Sequence, residues 1–416
     1  MSDRSARVGY GLSRRGFLGL GAGAAAGLVG LGGMTGRAWA DDDDGFVYTQ
    51  SNDPAGNAVF AFRRHRDGSL TPVPGSPFPT GGTGITPTFN LGPFDSDQEI
   101  IIDRHRRLLF TVNGGSDSIA VFRIDRDGSL DPVDGSPFDS GGSNPVSVGL
   151  ADEVLCVVNK AEDPGHMADM LPNYTTFHVG RRGWLTPIRG STVSVDIGSS
   201  PSQALVSPDR KLLFGADFLG GTLRSFRIRP DGRLVEADAQ GLPTSVFAGT
   251  GAPPLPLGLA VHPEETLLYV DFVTISKIGV YRYHGDGRLE FLRAIQDSGM
   301  APCWIVVNRE GTRAYAGNTA DTSVTVYDID DDPTTPVEIQ KVTLVGPGNV
   351  FQIGLDPTNQ FLSAITQPAA AGQPATANAL HVLKVAGDGT LTEVATSPTV
   401  LPVMTMGTRS QGVASI

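Results

Sequence analysis

The sequence predicts an all-β fold: a seven-bladed β-propeller with four antiparallel strands per blade, its ring closed by the C-terminal strand joining the N-terminal blade. Three observations predict it. One strand–hairpin unit recurs along the chain, its copies number seven, and the two ends of the chain match different strands of one blade.

In each copy a strand of the Val-Phe-Arg-Ile type runs into a tight hairpin, most often Asp-Gly, and then a short Leu-containing strand. The hairpin glycines are Gly68, Gly128, Gly183, Gly232, Gly287 and Gly389, separated by 60, 55, 49, 55 and 102 residues. The last gap is about twice the others, so a copy inside it has lost its glycine. Ser323 to Ile329 is the equivalent strand, and Asp330-Asp331-Asp332-Pro333 replaces Asp-Gly. Asp-Gly supplies the positive φ angles of a two-residue turn between adjacent antiparallel strands. A period of roughly 50 residues with four short strands makes one blade.

The ends complete the count. Phe46-Val47-Tyr48-Thr49 reads as a second strand, whereas Ser410 to Ser415 resembles Ser202 to Ser207, a first strand. Blade one is therefore expected to take three strands from the N-terminal side and one from the C-terminal side, which leaves no open edge. Two insertions depart from the common blade: Lys160 to Asn173 in blade three, and Pro368 to Asn378 in blade seven.

Residues 1–40 read as a twin-arginine signal peptide, leaving 41–416 as a single propeller domain. Ser13-Arg14-Arg15-Gly16-Phe17-Leu18 precedes a Gly- and Ala-rich apolar run, and Ala38-Trp39-Ala40 offers a cleavage site. This predicts a periplasmic or secreted protein. Without those residues the chain carries 27 basic against 43 acidic side chains, a net charge of −16. Such a surface disfavours nucleic acid and anionic membrane and leaves a small-molecule ligand or a protein partner. A monomer is expected. Cys156 and Cys303 fall in blades three and six, too far apart for a disulfide, so both should be buried free thiols.

First strands should line the central channel. One equivalent position near the start of each holds Gln411, Glu99, Ser147, Gln203, Gly258, Trp304 and Gln352 in blades one to seven, a mostly polar ring with Glu99 its one charge. A second ring comes from the ends of the second strands: Asn113, Asn159, Asp217 and Asn318, with Asp271 one residue early. Read functionally, this is a ligand pocket with Glu99 and Asp217 in acid–base roles and the rest binding. Read structurally, the groups satisfy one another, and Asn and Asp after a strand form turns. Asp95, Asp97 and Glu99 in one loop, Asp330 to Asp332 in one hairpin, and Glu162, Asp163, His166 and Asp169 in the blade-three insertion are weaker candidates for a divalent ion. None has a full ligand loop, so no metal is expected and no cofactor is implied. No G-x-S-x-G elbow, P-loop or Cys-x-x-Cys occurs.

Asp67 to Leu70 and Asp127 to Leu130, Gly135-Ser136-Pro137-Phe138, Ser207 to Phe214 and Ala301 to Val307 together resemble the seven-bladed lactonase-type propellers. That family includes bacterial 6-phosphogluconolactonases and fungal carboxymuconate-lactonizing enzymes. The resemblance spans the chain after residue 40. It implies the propeller fold and a site at the starts of the inner strands, where the family carries histidines near an arginine and a carboxylate. Ser202 and Gly258 stand where two of those histidines fall. Two readings follow: ligand or partner binding at the channel mouth without catalysis, or a lactonase-like hydrolase. The hydrolase would open a non-phosphorylated lactone or sugar derivative, with Glu99 activating water.

Overall fold

The computed structural model describes residues 44–166, 170–403 and 405–416. The expected signal segment, Asp41 to Asp43 and Asp169 lie outside the described residues. Seven antiparallel sheets follow one another around the ring, each ordered first, second, third and outer strand. Blade one joins Gly45–Gln50, Ala58–Arg64 and Leu70–Pro72 to Gln411–Ser415. Val47 faces Ser415 and Tyr48 faces Ala414. Phe46 and Ile416 exchange both backbone hydrogen bonds, at 2.8 and 3.0 Å. The closure expected from the two chain ends is thus present.

Each second strand is buried on both faces because each blade is packed between two others. In Leu108–Asn113 every residue is buried. Leu108, Phe110 and Val112 meet Val148, Leu155 and Val157 of blade three, and Leu109 meets Tyr48, Val59 and Ala61 of blade one. Strand alternation sends successive side chains to opposite neighbours, so these strands read as continuous apolar runs. Each fully buried Leu or Phe contributes roughly 1.5–3 kcal/mol.

The hairpins bolt neighbouring blades together. Gly128 has φ of 86°, and a Cβ there would lie 2.2 Å from the Phe46 ring, so both conformation and close approach require glycine. Its carbonyl accepts a hydrogen bond from the Tyr48 hydroxyl at 3.0 Å, as the Gly389 carbonyl does from Tyr315 at 3.1 Å and that of Gly232 from Thr176 at 2.7 Å. Blade six keeps this bolt without the glycine: the Tyr269 hydroxyl donates to the Pro333 carbonyl at 2.8 Å. Asp332 accepts from the backbone and hydroxyl of Thr334 just as Asp67 does from Ser69. The degenerate copy therefore sits where the spacing placed it.

Both cysteines are buried and free, and burial pushes the Cys156 thiol up to about 12. Among the described residues no helix is long and apolar enough to cross a membrane.

Candidate functional site on the loop face

The first strands begin, and the second strands end, on the face that carries both insertions (the loop face). The connection from blade one to blade two is long there, and residues 92–99 run inward to plug the channel. The predicted polar ring closes on this plug. Gln411 Nε2 donates to the Phe94 carbonyl at 3.1 Å, and Trp304 Nε1 donates to that of Ser96 at 3.0 Å. Gln352 Nε2 reaches both the Ser96 carbonyl and Glu99 Oε1 at 2.7 Å. Gln203 Nε2 donates to Gln98 Oε1 at 2.9 Å, and the Asp97 amide donates to the Ser202 carbonyl at 3.0 Å. Ser147 lies outside this convergence; its hydroxyl accepts from the Ala204 amide and ties blade three to blade four. At Gly258 no side chain fits, because a Cβ would lie 2.5 Å from Asp271 Oδ2.

The second ring does different work. Asn113 donates to Ser118 and accepts from Asn57 and Thr80. Asn159 pairs with Asn173, and Asn318 with Ser323 and Thr325. Each of these locks the end of a second strand to the start of the third within its own blade. Asp217 takes the backbone amides of Ser200 and Gly220 on Oδ1, at 2.7 and 3.0 Å, with Arg224 at 3.9 Å. It is 1 % exposed. Glu99 is fully buried: Oε1 accepts from Ser96 and Gln352, Oε2 has no partner among the described residues, and burial followed by the neighbouring Asp97 raises its pKa well above the usual range.

A different set of charges gathers on the outer side of the plug. Lys160 is fully buried and its ammonium donates to the Gly92 and Asp95 carbonyls. Asp95 and Glu162 keep partly exposed edges beside it. Glu162 Oε2 accepts from the Ser200 hydroxyl at 3.1 Å, and Gly92 packs so tightly there that a Cβ would lie 2.5 Å from the same oxygen and 3.3 Å from Leu219. Arg409 completes the rim, its guanidinium 5.0 Å from the Phe89 ring centre and 4.7 Å from that of Phe94.

Residues 244–367 match the family model described as "Lactonase, 7-bladed beta-propeller". The matched stretch is under a third of the chain and lies within the propeller. The chain's fold is also that of a protein named as a 6-phosphogluconolactonase from Bacteroides uniformis, at 16% identity and a TM-score of 0.68 over 90% of this chain and 100% of that one. The periplasmic gluconolactonase of Pseudomonas aeruginosa is similar at 16% identity and 0.64, over 86% and 97%. A protein from Lactobacillus plantarum aligns at 15% and 0.66, over 90% and 99%. No curated protein sequence matches the chain.

In this propeller, burial raises the pKa of Glu162 and of Asp95, with Lys160 opposing the shift in both. Burial lowers that of Lys160, and Glu162, Asp95, Glu99 and Asp217 oppose the shift without cancelling it. A carboxylate raised in this way, partly open to water and fixed by a hydroxyl, is a better proton acceptor than an ordinary surface carboxylate. Sequence reasoning named Glu162 and Asp95 only as ion ligands and passed over Lys160 and Arg409. Lys160 immediately follows the end of a second strand, a position shared by no other ring, and Arg409 sits in an irregular connection. Among the described residues no group of three acidic, His or Cys side chains could hold a metal. His166 instead faces Asp117 at 3.2 Å, and Asp163 caps the amides of Thr86 and Gly165.

Proposed function

We propose that the chain is exported and that its loop face opens a lactone, with Glu162 as general base. The observation that carries this reading is the half-open Glu162 carboxylate, held by Ser200 and raised in pKa beside Asp95 and above Lys160. Glu162 takes a proton from water, the water oxygen bonds to the lactone carbonyl carbon, and the ring C–O bond breaks. The leaving alkoxide then recovers the proton from Glu162, giving a hydroxy acid. Lys160 supplies positive charge toward the developing oxyanion, and the neighbouring Glu162 and Asp95 oppose the loss of its proton. The ring of Gln203, Trp304, Gln352 and Gln411 acts by holding the plug.

The substrate class follows from charge. Carboxylates outnumber cations around this cleft, which suits an uncharged lactone better than a phosphorylated one. The gluconolactonase name of the Pseudomonas aeruginosa neighbour supports the same class. The test is a panel of uncharged sugar and aliphatic lactones with the protein lacking residues 1–40. Glu162→Gln should lower kcat by about 100-fold or more at unchanged melting temperature, in line with a general base. Equal rates in the two proteins would remove Glu162 from the reaction.

A second reading, binding without turnover, is favoured by one contact. The Lys160 ammonium is already committed to two backbone carbonyls, which limits what it offers an oxyanion. Lactone-dependent thermal shifts with no hydroxy acid formed would decide for it.

Support for export is the Arg14-Arg15 pair and the Ala38-Trp39-Ala40 junction. Replacing both arginines by lysine should leave the protein in the cytoplasmic fraction; periplasmic recovery of that variant would refute the twin-arginine route.

A further inference from the structure

Below the plug the channel remains open. A cavity of about 350 Å³ runs along the axis, walled by six of the seven first strands through residues such as Ile102, Leu205, Leu259, Ile305, Leu355 and Val413. Gln98, Gln203 and Asp97 line its inner end, next to the plug, and Arg104 and Ser415 line it where the first strands finish, on the opposite face. The plug separates it from the Glu162 cleft.

The inner end is chemically unequal to the walls. Gln98 and Gln203 are spent on each other, and Gln203 also on both backbone groups of Leu259. Asp97 is not. It is 8 % exposed and lines the cavity, and its one side-chain hydrogen bond is from the Gln98 amide to Oδ1 at 2.8 Å. Among the described residues its second carboxylate oxygen takes no hydrogen bond and no cation stands beside it. A fold that buries a carboxylate at the end of an apolar tube leaves a strong acceptor without a donor. An apolar pocket with one such convergent polar group is what a small ligand site looks like.

We propose that this channel binds a small amphiphile, an apolar chain or ring bearing an ammonium head, with the head on Asp97 and the body along the aliphatic walls. The site opens away from the lactone cleft, and its occupancy is independent of Glu162. The charged groups around Asp97 are Glu99 on its own segment, Asp271 from blade five and Arg104 at the far end of the cavity. The two carboxyls are fully buried and raised in pKa, which disfavours their charged forms, while Arg104 favours ligands carrying no second positive charge. Burial places the Asp97 carboxyl at about 7, so the empty site is largely ionised at pH 8 and largely protonated at pH 6.

Hexylamine, hexan-1-ol and hexanoate, titrated calorimetrically into the protein lacking residues 1–40, test this. Hexylamine should bind at one site, at least tenfold tighter than the alcohol or the acid, and about tenfold more weakly at pH 6 than at pH 8. Asp97→Asn should remove both the preference and the pH dependence. Ile305→Trp, which fills the tube, should abolish binding; if that variant does not fold, the pH profile of the parent protein decides alone. Glu162→Gln should bind hexylamine unchanged whether or not lactones are hydrolysed. Equal affinity for amine and alcohol, or a flat pH profile in the parent protein, overturns the proposal.

Discussion

Asp271 shows how one side chain reshapes its surroundings. It is fully buried at the blade-five to blade-six seam, and neither carboxylate oxygen has a hydrogen-bond partner among the described residues. It takes the room that a side chain at position 258 would need, which is why that ring position is glycine. Burial, then the neighbouring Asp297 and Asp97, raise its pKa well above the usual carboxylate range. The folded protein therefore keeps a proton that the unfolded chain releases above about pH 3.9. Its contribution is harmless below that value, and stability declines as pH rises toward the folded pKa. Asp271→Asn should melt higher than the parent at pH 8, with the gap shrinking toward pH 5. A gap independent of pH would mean that Asp271 is ionised in the fold.

At the scale of the element, the plug was the least legible feature. The ring of Gln411, Glu99, Gln203, Trp304 and Gln352 could be read from strand register, because equivalent positions in a repeat converge on the axis. That these residues close on residues 92–99 could not, since an irregular segment has no period to follow. A trace was present: the first hairpin spacing, 60 residues, is longer than the three that follow it, and the excess is the plug. Second-ring positions were likewise found but not their work, because Asn at a strand end is an equally good turn lock and ligand donor. Gln352→Ala tests the plug directly. It removes the bonds to Ser96 and Glu99 and strands the Gly412 amide, which donates to Gln352 Oε1 at 3.0 Å. Losing these should cost about 1–3 kcal/mol and make the 80–99 connection more susceptible to limited proteolysis than the hairpins. Unchanged cleavage there would show that the plug is held by packing alone.

The whole molecule was the most legible of all, because its architecture is written seven times. Hairpin glycines and alternating strands fixed the blade count even where Asp332-Pro333 had erased the glycine, and the mismatch between Phe46-Val47-Tyr48 and Ser410 to Ser415 revealed the shared blade. What holds blade one together is not chain continuity. Phe46 and Ile416 already face each other as a hydrogen-bonded antiparallel pair. A short turn could splice them without moving either strand, and the backbone could be cut at an uncrowded tip such as Gly190, where a Cβ would meet nothing within 4 Å. The order in which the ribosome delivers the blades is then a matter of where the ring happens to be fastened, and a gene rewritten to start at blade four should encode the same object.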